Sequence, residues 1–263
     1  MSSRSFNKEF LDCYGIESFF KSPESGGQKA VYFVVRKGRS QVMKIIHGPK
    51  DERFDREMKI YEKYKELDGI PKVFETSEYH GETIIFEEFI EGTTLQNITS
   101  DYKENTLTVR ELVAGLFRIL TPVWKDQYVH RDLKPLNIII RPDGSPVILD
   151  FGIARDLGDL SITGTGGLQP GSWKWAAPEQ YFNRKDMISY RTDFFSIGVI
   201  AYFLFHQRLP FGNNVEEIHK RFQDGDDKLI IDADCGMKNF LTESMKFRPG
   251  HRPRRIEDLA NLI

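Results

Sequence analysis

The chain has 263 residues, of which 40% are hydrophobic and 29% are charged, as is ordinary for a globular protein with a substantial core. A net charge of −2 gives no bias toward nucleic acid or anionic membranes, and the longest apolar run, residues 194–205, is shorter than the roughly 20 residues that span a bilayer. We therefore expect neither partner. The polar N-terminus and two distant cysteines predict a cytoplasmic protein with free thiols.

The first third of the chain predicts a sheet with one helix. Runs of β-branched and aromatic residues there are typical of strands. The predicted strands are residues 16–21, 30–36, 40–46, 72–78 and 83–89. Between the third and fourth strands, residues 52–67 carry apolar side chains at helical spacing and predict an amphipathic helix.

The remainder of the chain predicts mainly helices. Thr108 and Glu111 have the spacing of a capping box and predict the start of a long helix, which Pro122 would disturb near its end. Further helices are predicted at residues 191–205, 215–222, 237–245 and 256–262. The fold class is thus α+β, with a small lobe at about residues 1–89, a connector at 90–94, a larger helical lobe at 95–263, and a ligand cleft between the lobes.

Charged and amide side chains are concentrated between apolar runs in the stretch VHRDLKPLNIIIRPDGSPVILDFG, residues 129–152. It contains Asp132, Lys134, Asn137 and Asp150. Turn formation would explain the aspartates and the asparagine alone, but it predicts none of the motifs that follow. Together with AAPE at residues 176–179, HRDLKPLN and DFG resemble the eukaryotic-type protein kinases, and the ordered resemblance extends over about residues 16–262.

The resemblance implies transfer of the γ-phosphate of ATP to Ser/Thr hydroxyls of a protein substrate, with Mg²⁺, or Mn²⁺ in its place, as the metal. Asp132 would orient the acceptor hydroxyl and accept its proton, and Lys134 would neutralise the transferring phosphate. Asn137 and Asp150 would hold the metal through oxygen ligands.

Upstream, Lys44 stands where the family has the lysine that contacts the ATP phosphates. A lysine in a buried strand needs a partner. Glu57, in the following helix, is the expected one, although Glu52, Glu62 and Glu66 compete for this role.

The phosphate-covering loop departs from the family pattern. When the motif is anchored on Val31, Glu24, Gly26 and Lys29 occupy its three glycine positions, and Gly27 adds freedom. We expect the loop to cover ATP still, with Lys29 as an added phosphate contact.

The connector leaves one alternative open. Alignment on Gly92 places Glu87 at the usually apolar gatekeeper position, with Glu88 and Ile90 in the segment that meets adenine. A shift by one residue would place Phe86 there instead.

Residues 150–179 are rich in glycine and hydroxyls and resemble an activation segment. Ser161, Thr163 and Thr165 are candidates for autophosphorylation, and Arg131 could pair with the added phosphate. Solvation of a flexible loop is the alternative interpretation.

Four further residues resemble supports of the family's site. Ser172 would contact Asp132 and Lys134 and position the substrate. Glu179 and Arg252 would form a buried ion pair, and Asp193 would hydrogen-bond the catalytic loop.

Two other functions remain open at this point. A pseudokinase scaffold is suggested by the altered glycine loop and opposed by the retained catalytic residues. A small-molecule phosphotransferase would share the Asp and Asn spacing but lack AAPE. Because almost all of the chain resembles a catalytic domain, a regulatory partner chain is a further expectation.

Overall fold

The structure is a computed structural model that describes residues 6–26, 29–47, 52–151, 155–156, 172–225 and 236–263. It divides into two compact units, Met1–Glu91 and Gly92–Ile263. None of the helices in these described ranges combines the length and the apolar character needed to cross a bilayer.

The first unit is built on a five-stranded antiparallel sheet of order β1-β2-β3-β5-β4. Its strands are β1 (Ile16–Gly26), β2 (Lys29–Arg36), β3 (Arg39–Ile46), β4 (Val73–Tyr79) and β5 (Glu82–Glu88). Helix α2 (Glu52–Lys63) joins β3 to β4 and ends four residues before the predicted limit. β1 runs five residues beyond its predicted end and finishes at Gly26.

An additional helix, α1 (Lys8–Tyr14), precedes the sheet and was not predicted from the sequence. The Asn7 side chain accepts a hydrogen bond from the Phe10 amide and caps the helix. Phe10 and Tyr14 pack into a buried apolar cluster on one face of the sheet, with alternate residues of β2, β3 and β5. The rings of Phe10 and Tyr14 lie 4.8 Å apart. The helix has only seven residues, and polar residues lie between its aromatic ones, so the helical period is not evident from the sequence.

The second unit is mainly helical. The α-helices among its described residues are α3 (Thr106–Lys125), α4 (Pro178–Tyr181), α5 (Tyr190–His206), α6 (Val215–Asp224), α7 (Lys238–Ser244) and α8 (Ile256–Ala260). Short strands form two small sheets: β6 (Thr93–Thr94), β8 (Ile138–Ile140) and β9 (Pro146–Ile148) in one, and β7 (Tyr128–Val129) with β10 (Arg155–Asp156) in the other. The antiparallel sheet of the first unit and the helices of the second confirm the predicted α+β fold class.

Helices α3 and α5 form the core of the second unit. The rings of Phe117 on α3 and Phe194 on α5 stack at 5.6 Å, and Trp124 packs edge-on against Phe194 at 5.1 Å. The predicted cap of α3 was wrong, because the helix begins at Thr106 and the Asn105 side chain accepts from the Thr108 amide. Asparagine is an equally good cap, and it lies one turn earlier in the chain.

Candidate active site

A cluster of buried polar side chains surrounds Asp132 in the loop between β7 and β8. The loop runs through residues 130–134 in irregular conformation and closes with a short 3-10 helix, Pro135–Asn137. Asp132 itself is only 4% exposed. A carboxylate removed from water in this way requires hydrogen-bond donors.

Three side chains supply those donors. Lys134 Nζ lies 2.7 Å from Asp132 Oδ2, and Asn137 Nδ2 donates to the same oxygen at 3.0 Å and to the Asp132 carbonyl at 2.9 Å. Ser172 Oγ donates to Asp132 Oδ1 at 2.7 Å and accepts from Lys134 Nζ at 3.0 Å. The structure therefore brings Asp132, Lys134, Asn137 and Ser172 together as one hydrogen-bonded cluster.

Asp193, at the start of α5, holds the backbone of this loop. Its fully buried carboxylate accepts from the Trp124 indole and from the amides of His130 and Arg131, each at 2.9 Å. Burial raises the pKa of Asp193, and these donors oppose that shift. Arg131 has a φ of 70°, a left-handed conformation that is uncommon for a non-glycine residue and that turns both amides toward one carboxylate.

His130 is a further part of the loop that the sequence analysis did not identify. Its side chain is completely buried, and its ring lies 4.6 Å from that of Phe151. Nδ1 accepts from the Asp132 amide at 3.2 Å, and Nε2 is 3.1 Å from the Leu149 carbonyl. The imidazole thus joins the Asp132 loop to the chain leading to Asp150. In the sequence, the position of His130 directly after the apolar Val129 and before the polar loop could have indicated this role.

Glu179 and Arg252 form a buried, bidentate ion pair. Arg252 Nη1 and Nη2 lie 2.7 and 3.0 Å from the two Glu179 oxygens, and both side chains are almost inaccessible to solvent. Thr192 Oγ1 also donates to Glu179, at 2.8 Å. The neighbouring Gln180 donates from Nε2 to the Arg131 carbonyl at 2.7 Å, which ties α4 to the Asp132 loop. Gln180 was another residue that sequence reasoning missed.

In the first unit, strand register decides which residues share a face with Lys44. Lys44 is paired with Val31 and Ile85 on its neighbouring strands, while Val42 is paired with Glu87 and Met43 with Phe86. Because successive side chains alternate between faces, Glu87 points to the Lys44 face. Lys44 Nζ lies 2.7 Å from Glu87 Oε1.

Phe86 lies on the opposite face of the sheet, in the apolar cluster beneath α1. It is fully buried there, and its ring is 5.4 Å from that of Tyr14. Of the two alternatives considered for the gatekeeper, only Glu87 therefore accompanies Lys44. Glu57 lies half-buried on α2.

Comparison with known proteins assigns the chain to a family. A model of the protein kinase domain matches residues 25–259. The chain belongs to the protein kinase family. This finding confirms the family recognised from the motifs.

Named relatives of this kinase domain are bacterial serine/threonine-protein kinases. A probable serine/threonine-protein kinase, pknA2, from Bifidobacterium longum is 30% identical over 207 residues, which cover 72% of this chain and 26% of the relative. Serine/threonine-protein kinase PknH from Mycobacterium bovis is 31% identical, over 57% of this chain and 25% of its own. PknA from Nostoc is 31% identical, over 60% and 29%. The kinase domain thus spans about a quarter of the length of these curated relatives.

Two residues of the kinase domain suit a divalent cation. Asn137 commits its amide nitrogen to Asp132, so its side-chain oxygen remains as the acceptor, and its carbonyl accepts from the Leu149 amide at 2.8 Å. That bond places the start of the Asp150 segment beside Asn137. Asp150 is half-buried, with a φ of 64°. An amide oxygen and a carboxylate are the hard ligands that Mg²⁺ prefers.

The other residues predicted to bind ATP belong to the first unit. Gly26, the last residue of β1, pairs with Lys29, the first residue of β2. Glu88 is the last residue of β5, and Ile90 lies two residues beyond it. Gly27 lies outside the described residues, as do the candidate phosphosites Ser161, Thr163 and Thr165.

Proposed function

We propose that this protein is a Ser/Thr protein kinase that transfers the γ-phosphate of ATP to hydroxyl groups of a protein substrate. The observation that carries the proposal is the cluster in which Lys134, Asn137 and Ser172 fix both carboxylate oxygens of Asp132. Phosphoryl transfer is catalysed mainly by positioning and by electrostatic stabilisation, and a buried carboxylate beside a buried ammonium supplies both.

In the proposed reaction the acceptor oxygen attacks the γ-phosphorus as the bond to the β–γ bridging oxygen breaks, and ADP leaves with that electron pair. Asp132 accepts the hydroxyl proton. Lys134, already 2.7 Å from Asp132, balances negative charge on the transferring group. Lys44 holds the α- and β-phosphates, assisted at the phosphate-covering loop by Gly26, Gly27, Lys29 and Val31. Glu57 is the expected partner that orients Lys44 from α2.

Mg²⁺, or Mn²⁺ in its place, would be held by Asn137 and Asp150. The bound cation would supply positive charge to the phosphate oxygens of ATP. The chain would fix both ligands. The Asn137 side chain is held by its two hydrogen bonds to Asp132, and the bond from the Leu149 amide to the Asn137 carbonyl holds the residue before Asp150.

Ser172 supports a protein acceptor. It lies in the segment that leads through AAPE to α4, and it reaches the Asp132 and Lys134 side chains directly. The Glu179–Arg252 ion pair anchors the same segment. A substrate backbone laid along this segment would bring its hydroxyl to Asp132. The bacterial relatives are named serine/threonine-protein kinases, which favours Ser and Thr as acceptors.

The decisive test is transfer of labelled γ-phosphate from ATP and Mg²⁺ to the protein itself and to a generic basic protein. Asp132→Asn keeps the shape of the side chain but removes the base, and we expect a loss of about 10²- to 10⁴-fold in kcat. Asp143→Asn, in an exposed turn, is the matched control and should leave transfer unchanged. Undiminished transfer by Asp132→Asn would refute the assignment. Transfer to small alcohols but not to proteins would instead favour a small-molecule phosphotransferase, and nucleotide binding without transfer would favour a scaffold.

Regulation is proposed to act on residues 150–179 and through a partner chain. At least one of Ser161, Thr163 and Thr165 is expected to be autophosphorylated, and the added charge of about −1.5 to −2 would pair with a cationic side chain such as Arg131. Intact mass after incubation with ATP and Mg²⁺ should increase by one or more phosphates. An unchanged mass from a preparation that phosphorylates other substrates would contradict this expectation. We place the reaction in the cytoplasm, because ATP is supplied there and the exposed Cys13 is a free thiol.

A further inference from the structure

The ion pair between Lys44 and Glu87 is an unusual feature of the first unit. Lys44 Nζ and Glu87 Oε1 are 2.7 Å apart, and their side chains are 11% and 5% exposed. Burying a carboxylate on this face of the sheet costs free energy unless a cation pairs with it, and the Lys44 ammonium is that cation. The two residues come from adjacent strands, so the contact is built into the register of β3 and β5.

Glu87 changes the charge that this face presents. Lys44 alone would offer one positive charge to an anion, and Glu87 adds a negative charge 2.7 Å from it. A polyphosphate approaching the ammonium also approaches the carboxylate, which repels it. Low exposure strengthens both effects, because little solvent screens the charges.

We propose that Glu87 is an affinity-determining residue whose carboxylate competes with the nucleotide phosphates for the Lys44 ammonium. This inference rests on the proposed function, in which Lys44 holds the phosphates of ATP. Binding of MgATP then requires Lys44 to be shared with, or released from, Glu87. The consequence is weaker binding of MgATP than the same site would show with a neutral side chain at position 87.

The nature of the lysine side chain makes this exchange feasible. An ammonium on a flexible four-carbon stem has three donors and no fixed fork geometry, so it can turn between two acceptors. Val42 and Ile85, the strand neighbours of the two residues, are apolar and supply no competing hydrogen bond through their side chains. Glu87 and the nucleotide are therefore coupled through a single shared cation.

The test compares binding of MgATP and of adenosine to the full chain and to Glu87→Gln, by titration calorimetry. Glutamine keeps the shape and one acceptor oxygen of glutamate, removes the charge and replaces the other oxygen by an NH2 donor. We expect MgATP to bind at least about 5-fold more tightly, the lower end of ordinary coupling between two binding events. Adenosine has no phosphates, so its affinity should be the same for the variant and the wild type. The ratio of the two dissociation constants therefore separates the effect of the charge from any structural change.

Two further variants complete the design. Glu78→Gln removes a charge from an exposed position on β4 of the same sheet and should leave both affinities unchanged. Glu87→Asp keeps the charge but withdraws it by one methylene, so it should bind MgATP with an affinity between those of the wild type and Glu87→Gln. If Glu87→Gln does not fold, as judged by its thermal unfolding, Glu87→Asp alone decides the inference.

The outcomes separate this inference from the proposed function. Suppose that the wild-type protein binds and turns over MgATP, but that Glu87→Gln does not bind MgATP more tightly relative to adenosine than the wild type does. This result would overturn the proposed role of Glu87 and leave the proposed function intact. Wild-type protein that binds neither MgATP nor adenosine would overturn the proposed function and the inference with it. A lower KM for ATP in Glu87→Gln, with a smaller change in kcat, is the kinetic counterpart of the expected result, because the variant removes a ground-state competitor.

Discussion

Two buried ion pairs, Glu179 with Arg252 and Lys44 with Glu87, use the same charges in different ways. All five N–H donors of Arg252 are engaged: two on Glu179, and one each on the carbonyls of Arg191, Lys246 and Phe247. Its guanidinium also lies 4.8 Å from the Phe195 ring centre. Such a group has no donor left for a ligand, and its geometry suits a permanent structural role.

Lys44 presents a different chemistry. It is a point charge whose contact with Glu87 runs from one Nζ to one carboxylate oxygen. Nothing in that geometry requires a fixed orientation, so a second anion can take part of the charge. The comparison teaches that burial and opposite charge do not by themselves distinguish structural from functional pairs; the number and the rigidity of the hydrogen bonds do.

The largest expected effect is on stability when Arg252 is lost. Arg252→Met leaves the Glu179 carboxylate buried with a single hydroxyl donor, Thr192, and frees three backbone carbonyls. We expect a loss of about 3–5 kcal/mol in the free energy of unfolding, measured with urea. A loss below about 1 kcal/mol would show that the pair is not structural and would remove the basis of the comparison.

Double replacement sharpens the comparison. In Lys44→Met with Glu87→Met, both charges disappear together, and the stability should stay within about 1 kcal/mol of the wild type or rise. In Glu179→Met with Arg252→Met, the same exchange still leaves the carbonyls of Arg191, Lys246 and Phe247 without their donor. Unsatisfied buried groups cost about 1–3 kcal/mol each, and these three bonds are partly buried, so this double variant should remain destabilised relative to the wild type. Equal stabilities for the two double variants would contradict the distinction.

Arg36 provides an intermediate case. Its side chain is 4% exposed, donates to the Tyr14 carbonyl at 2.6 Å, pairs with Glu75, and lies 4.1 Å from the Phe86 ring centre. Because Glu75 is 37% exposed, solvent can replace the arginine there. Arg36→Met should therefore cost about 1–2 kcal/mol, less than Arg252→Met, mainly through the lost bond to α1. Urea unfolding, followed by circular dichroism, would measure this loss in the free energy of unfolding. A loss as large as that of Arg252→Met would contradict the expectation.

The smallest expected change in stability concerns Ser172. Ser172→Ala removes one hydrogen bond to Asp132 and one from Lys134, but these two charged groups retain each other at 2.7 Å. We expect a cost of about 1 kcal/mol or less in unfolding, with a measurable fall in kcat because Asp132 is less firmly oriented. Ser145→Ala, at an exposed turn, is the control. A fall in stability without any change in kcat would assign Ser172 a structural role only.

The sequence by itself determined the family, the fold class and the local arrangement around Asp132. The motifs in residues 129–152 and 176–179 occur in order, and Lys134 and Asn137 reach Asp132 because they lie within five residues of it on one tight loop. Strands β2, β3 and β5 followed from their β-branched runs, because alternation of side chains is a local property.

Only the tertiary structure decided which of Phe86 and Glu87 accompanies Lys44, since a one-residue shift in register exchanges the two faces of a strand. The same holds for α1, whose aromatic residues acquire meaning only against the sheet they cover. The acceptors that meet the five donors of Arg252 come from its own loop and from residues far away in the chain, and Gln180 meets Arg131 across 49 positions. Contacts at such separations depend on packing, which no local pattern in the sequence encodes.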